Sequence, residues 1–412
     1  MEILYPRCAA IDVHKRTAVV TVGWVDDQGR RQKQTRTFGT MTRDLERLRR
    51  WLAEHAATHV AMESTGVYWK PLFNVLEDGG LTVVLANAAH AKAVPGRKTD
   101  VRDSEWLLDL MQHGLIRGSF IPEAPIRALR DLTRYRAGLV EERTRALNRI
   151  QKVLEDANIK LASVATEVLG VSGRAMIEAL VAGEADPERL ADLARGTLRK
   201  KRAALVEALR GRVRDHHRVL LKALLGHVDH LEHAIAELSA EIDRRLAPYA
   251  AAVELLCTIA GVKRRAAEVV VAEIGTDMAR FADARHLCSW AAVCPGNDES
   301  AGKRRSGRTR RGNRWLRTVL RQAAWAAVKV KGGYFGAQFR RIAKRRGEKR
   351  AILAVAHSLR TVIYHVLKHG VLYEDLGAAY FDRLAPERHA RYHLRRLADL
   401  GFSVTLARAA AD

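Results

Sequence analysis

Cys8-Ala-Ala-Ile-Asp-Val-His-Lys-Arg-Thr-Ala-Val-Val-Thr-Val-Gly-Trp24 is the stretch on which the fold of this chain turns. A short apolar run ends in an acid, Asp12, and a β-branched run begins at Thr17 and reaches Trp24. β-Branched and aromatic side chains suit a pleated, half-buried surface. Asp26-Asp27-Gln28-Gly29 then supplies turn chemistry, and a polar alternating stretch continues to Phe38. Three such segments in a row predict a three-strand meander.

Outward from the meander, Thr42 is expected to cap a helix that places Leu45, Leu48, Trp51 and Leu52 on one face. His59-Val-Ala-Met62 reads as a buried strand that delivers Glu63 at its end. A helix follows, then a fifth strand over Leu81 to Leu85, then a helix from Asp100 through Leu110. The order βββαβαβα is that of a ribonuclease-H-like α/β fold, expected over residues 1–125.

Within that fold Asp12 and Glu63 end strands, and Asp100 and Asp103 stand three apart at a helix start, hence on one face. Strand ends beside a helix start are where an open α/β sheet converges its side chains. Four carboxylates so gathered repel one another and are costly to ionise unless cations share the site. Hard oxygen ligands of this kind suit Mg²⁺ or Mn²⁺. Two such ions stabilise the attacking and leaving oxygens of a phosphoryl displacement. The bland alternative is incidental acids at strand ends plus an Asp pair favoured by the helix macrodipole. Four together in this strand order favour the metal reading.

The 412 residues suggest two or three domains, and a net charge of +24 with a pI near 10.4 calls for a polyanionic partner. The charge is uneven: residues 297–350 carry 18 Lys/Arg against 3 Asp/Glu, so +15 sits in 54 residues. No apolar run approaches the ~18 residues of a spanning helix. The N-terminus lacks the basic-then-apolar pattern of a signal peptide. The four cysteines show no CxxC spacing and read as reduced, mostly buried thiols of a cytosolic protein.

The basic concentration begins in Asn297 to Arg317, where Ser300 and Ser306 lie among Gly302, Gly307 and Gly312. Lys303, Arg304, Arg305, Arg308, Arg310, Arg311, Arg314 and Arg317 surround them and are the candidate nucleic-acid contacts. Glycine lets backbone amides approach a ligand closely, and guanidinium forks match phosphate oxygens. A hydroxyl in such a cradle is placed to meet a phosphodiester. The alternative is a solvated basic loop whose serines are spacers.

Residues 126–250 read as long helices. From Leu205 onward, Leu220, Leu224, Val228, Leu231, Ile235, Leu238 and Ile242 recur every three or four residues, the seam of an antiparallel hairpin or of a coiled coil between copies. His227, His230 and His233 recur at i, i+3 and i+6, but the third has rotated off the face, which disfavours a zinc site. Residues 251–370 read as a mainly helical domain. It opens on a turn at Ala260-Gly261-Val262 that either presents amides to a phosphate or is a plain corner between helices. Its helix from Arg314 places Trp315, Leu316, Val319 and Leu320 inward and Arg314, Arg317 and Arg321 outward. Residues 371–412 form a basic, helical tail.

Ala-Ile-Asp12-Val-His-Lys, Ala-Met-Glu63-Ser-Thr-Gly and Lys-Thr-Asp100-Val-Arg-Asp103 together resemble the DEDD motifs of a family of bacterial insertion-sequence transposases. Members of that family join an N-terminal RuvC-like domain, through a helical connector, to a second, serine-bearing transposase domain, and are guided by a structured bridge RNA. The resemblance implies that Asp12, Glu63, Asp100 and Asp103 bind the metals. His14 and Lys15 lie beside the first carboxylate but are not counted in the site. The resemblance further implies that the nucleophile falls in Glu299-Ser300-Ala301-Gly302-Lys303. Many relatives read Ser-Gly directly where Ala301 intervenes here, so Ser306-Gly307 competes with the favoured Ser300. It spans residues 6 to 370 and implies donor and target DNA, a guide RNA, a homo-oligomer (dimer or tetramer) and a cytoplasmic, nucleoid-associated setting.

The leading expectation is a DNA recombinase that forms a covalent phosphoserine link. The alternative is a metal-dependent junction resolvase or nuclease that uses water, its serine loop only gripping phosphate. A non-catalytic nucleic-acid-binding protein on a degenerate nuclease fold is a third reading, against which the four intact carboxylates argue.

Overall fold

The computed structural model describes residues 2–64, 66–86, 100–116, 118–291, 298–300, 302–306, 312–384 and 386–405. Side chains are outside that description at 100–102, 288–289, 298–300, 304–306 and 388–389. The chain divides into two compact units, residues 1–121 and 122–412.

The first unit is built on a mixed five-stranded sheet, β3-β2-β1-β4-β5. Its strands are β1 (Arg7–Val13), β2 (Thr17–Val25), β3 (Arg31–Gly39), β4 (His59–Glu63) and β5 (Thr82–Ala86). The meander β1-β2-β3 is antiparallel, and β4 and β5 add in parallel beside β1. With helices α1 (Thr42–Glu54), α2 (Trp69–Asp78) and α3 (Asp100–Gln112), this is the expected element order and is compatible with a ribonuclease-H-like domain. One detail differs. Met41 is the N-cap of α1, without a side-chain bond, and Thr42 is the first helical residue.

Side-chain size explains how the two faces of the sheet are covered. Ile11, Val13, Val20, Val22, Val60 and Met62 point to one side and pack with Leu45, Leu48, Leu52, Leu72 and Leu76 of α1 and α2. Successive strand residues alternate in direction, so Cys8, Ala10, Ala61 and Ala86 point the other way, where Leu107, Leu108 and Met111 of α3 cover them. That second face is lined with small residues, which lets α3 come close. A Cβ on Gly23 would sit 2.9 Å from Leu108 Cδ2. Thr21 Oγ1 and Ser104 Oγ, both fully buried, are hydrogen-bonded at 2.8 Å and fix the position of α3 along the sheet.

The second unit is helical. Helix α4 (Ala124–Asp156) runs antiparallel to α6 (Asp215–Leu246), with Arg143 beside Glu232 and Asp156 beside His217. Between them, residues 157–214, with helix α5 (Val171–Ala182), form an insert. Its core joins Met176, Ile177, Leu180, Leu205 and Leu209 to Ile150 and Leu154 of α4 and to Leu221 and Leu225 of α6. The α6 seam is therefore Leu221, Leu225, Val228, Leu231, Ile242 and Leu246, whereas Leu220 is 46% exposed. Leucines come in adjacent pairs at 220–221 and 224–225, so periodicity left the face ambiguous, and the insert's core selects the second of each pair. Of the two partners the sequence offered for this seam, the antiparallel hairpin is formed, with α4 of the same chain packed along α6.

Helices α7 (Ala250–Cys257) and α8 (Arg264–Ile274) follow, then α9 (Ala284–Ala291), α10 (Arg314–Ala327), α11 (Tyr334–Arg346), α12 (Glu348–His369) and α13 (Pro386–Asp399). The turn between α7 and α8 holds Gly261 at φ 83°, where a Cβ would lie 2.3 Å from Ala323 O and 2.5 Å from Ala327 N. That close approach to α10, a corner between helices, is what requires glycine there. Among the described residues no helix is long and apolar enough to cross a membrane.

Candidate active site and nucleic-acid interface

The parallel pairing of β1 with β4 matches Ala10 to Ala61 and Ile11 to Met62, so the next residues, Asp12 and Glu63, are neighbours across the sheet. Adjacent strands lie ~4.8 Å apart. Both acids continue the alternation of Ala10 and Ala61 and so belong to the face that α3 covers. Asp103 lies in the first turn of α3, four residues before Leu107, and four residues apart is one helix face. Leu107 packs on the small-residue face, so Asp103 shares the sheet-facing stripe. Asp100 opens α3, and its side chain lies outside the described residues.

These three described carboxylates share one face but do not bring their oxygens within 4.8 Å of one another; oxygen donors are the chemistry a hard divalent cation takes. Asp12 has a further partner: its Oδ2 lies 3.1 Å from Nε2 of the half-exposed His14. From the sequence alone His14 is not counted in the site. The structure makes it a contact of the first carboxylate.

The basic segment is not an open loop where it is described. Residues Asp298–Ser300 (β6) and Lys303–Ser306 (β7) form an antiparallel ribbon with a bulge between Asp298 and Glu299. Gly302, at φ 72°, belongs to its turn, in the left-handed region that glycine enters without strain. Ser300 pairs with Lys303 beside the turn, and Ser306 pairs with Asp298 at the open end. The two serines thus occupy opposite ends of one ribbon. Lys303 is exposed, while the side chains of Arg304 and Arg305, like those of both serines, are outside the description. Arg308, Arg310 and Arg311 lie outside the described residues. Arg314 is exposed and Arg317 half-buried on α10, and the Arg314 guanidinium stands 4.3 Å from the centre of the Trp315 ring.

The stems of this segment are held by a buried network that the sequence did not disclose. Asn313 Oδ1 accepts from the backbone N–H of Trp315 and Leu316 at 3.0 Å and caps α10. Its Nδ2 donates to Oε2 of Glu273, a fully buried carboxylate on α8. Arg134 of α4 donates to both Glu273 oxygens at 2.7 and 2.8 Å. Arg130 donates to Glu273 O at 2.6 Å, and its guanidinium lies 5.9 Å from the Trp290 ring centre. Burial pushes Arg130 down to about 10 while Glu273 opposes the shift, so it stays cationic at neutral pH. Asn313 N donates to Trp290 O at 3.4 Å, which joins the residue before the segment to the residue after it. The readable signal was modest: Asn before an apolar helix is an N-cap pattern.

Among the described residues one group brings three metal-type ligands within 4.8 Å: Asp156, His216 and His217. It is separate from the carboxylates of the sheet. His217 Nδ1 accepts from Arg214 N at 3.1 Å and Nε2 meets Asp156 at 2.8 Å, so both ring nitrogens are engaged. Arg210, Arg212 and Arg214 line the same cleft, a setting that repels cations. We read the group as a helix cap. The stripe His227, His230 and His233, noted in the sequence, is exposed.

Residues 9–159 match the family model of the IS110 DEDD domain, described as Transposase. Residues 253–340 match the one described as Transposase IS116/IS110/IS902 family. No curated protein matches the chain. The first match contains Asp12, Glu63, Asp100 and Asp103, and the second contains both serines and the basic ribbon. The DEDD match and the oxygen donors beneath it suggest a divalent metal. Carrying both IS110-family transposase domains in order, the chain is supported as an insertion-sequence transposase, a DNA-modifying enzyme.

Proposed function

We propose that this transposase cuts and rejoins DNA through a serine nucleophile, with Asp12, Glu63, Asp100 and Asp103 holding Mg²⁺ or Mn²⁺. The observation that carries the reading is the strand register that sets Asp12 beside Glu63 under the helix bearing Asp103, in a chain whose second matched domain holds the serine ribbon. When bound, divalent ions would neutralise charge on phosphate oxygens and steady the attacking and leaving groups. The serine hydroxyl, Ser300 by preference over Ser306, attacks phosphorus. One P–O bond to deoxyribose breaks, the proton passes to the departing oxygen, and a phosphoserine diester remains. Attack by a strand-terminal hydroxyl reverses these bond changes and rejoins DNA without an outside energy source. Lys303, Arg304, Arg305, Arg308, Arg310, Arg311, Arg314 and Arg317 hold the phosphates, and the Glu273–Asn313 network keeps the stems of their segment in place.

Guidance by a structured RNA and action as a homo-oligomer are part of the proposal and rest on the resemblance. The organisation proposed with it is a DEDD domain at 1–125, a connector at 126–250, a serine domain at 251–370 and a tail at 371–412. The test is a denaturing gel of the full chain with labelled donor DNA, with and without EDTA. A protein–DNA adduct that EDTA abolishes is the expected result. Cleaved ends free of protein point instead to a metal-dependent nuclease that uses water, and cleavage surviving excess EDTA rejects the carboxylate assignment.

A further inference from the structure

A cavity of about 520 Å³ lies between α4, α6, α8 and α10. Val140, Ile235, Val269 and Val319 give it apolar walls. Its charged lining is Arg134, Arg136, Lys263, Arg265 and Arg314 against Glu141 and Glu273, and Glu273 is already bonded to Arg134 and Asn313. Lys263, Arg265 and Arg314 are exposed. Trp315, half-buried, lines the same cavity with the Arg314 guanidinium over its ring. Arg136 is buried and its Nη2 donates to Glu268 Oε2 at 2.7 Å, an oxygen that Arg265 Nη1 also meets at 3.0 Å.

Apolar walls, an aromatic ring and an Arg plane suit a flat heteroaromatic group, and the exposed cations suit an attached anion. A nucleotide combines these features: a flat base and a phosphate. An apolar side chain from a second copy would fill the walls but leave the exposed Lys263 and Arg314 without an anion.

We infer that this cavity receives one unstacked nucleotide of the DNA substrate. The base lies against Trp315 and the valines, and the phosphate sits at Lys263, Arg265 and Arg314. The inference rests on the DNA-rejoining reading and adds to it a strand held with one base out of the stack, a state least costly in single-stranded DNA.

The experiment uses the full chain and two probes, oligodeoxythymidylate and a blunt duplex. Trp315→Ala, and Ala266→Trp to fill the cavity from α8, should each weaken oligodeoxythymidylate binding by ~5- to 150-fold, the span of base–aromatic stacking, and leave duplex affinity unchanged. Trp315→Phe should restore most of the affinity. An oligodeoxythymidylate carrying 5-iododeoxyuridine should photocrosslink the wild-type chain at Trp315, a readout that needs no variant. Unaltered oligonucleotide affinity in Trp315→Ala, with crosslinks elsewhere, overturns the inference. So does an equal weakening on both probes, or a change of mass in light scattering with affinity unmoved, which would assign the cavity to a second copy. A wild-type chain that binds neither probe overturns the parent reading, whereas normal strand transfer with variants insensitive on both probes overturns the cavity alone.

Discussion

Asp12 and Glu63 stand 51 positions apart in sequence and side by side in the sheet, because one parallel register carries each strand's last acid to the same height. Asp12→Asn or Asp103→Asn should therefore remove DNA cleavage while leaving DNA affinity nearly intact, since each adds only one unit of positive charge; parallel cleavage and mobility-shift assays check both halves. This much was legible, because strand ends and helix starts can be read from period and turn chemistry. The Glu273 network was not. Arg130, Arg134 and Asn313 reach it from positions 143, 139 and 40 residues away, and each looked like an ordinary charge or cap on its own element. Removing one partner of a buried ion pair strands the other, at about 3–5 kcal/mol. Glu273→Ala should lower unfolding stability by that amount in urea titration and weaken strand transfer more than duplex binding. Unchanged stability would show that the arginines find solvent instead.

At the scale of elements, the ribbon was missed because β6 and β7 have only three and four residues, rich in charges that strands disfavour. Its register separates the two candidate nucleophiles. Ser300→Ala should abolish the covalent adduct, whereas Ser306→Ala should retain a substantial part of it; the reverse result on a denaturing gel moves the nucleophile to the open end of the ribbon. The α6 seam teaches a related lesson. Its period was plain, but the choice of face and of partner belonged to the insert and to α4. Leu231, 2% exposed, is a buried position of that seam. Leu231→Lys would bury an unpaired charge and should lower the melting temperature markedly; light scattering that finds smaller but still folded particles would return the seam to an interface between copies.

For the molecule as a whole, charge is the readiest handle. With +15 of the +24 in residues 297–350, that segment should dominate the salt dependence of binding. Neutralising Arg304, Arg305, Arg308 and Arg311 should flatten the slope of log K against log salt by up to ~0.9 for every duplex phosphate no longer neutralised, measured by anisotropy over a salt series. An unchanged slope would place these arginines in solvent. Helix α4 adds a mechanical constraint to this electrostatic one. It is unbroken over 33 residues, about 50 Å at the rise of an α-helix. One end is rooted in the insert through Ile150 and Leu154, and the other grips Glu273 through Arg134. The insert is thus the far arm of a stiff lever whose near end bears on Asn313, and a pull on that arm is delivered as torque to the stem of the serine segment, with no intervening joint along α4 to absorb it.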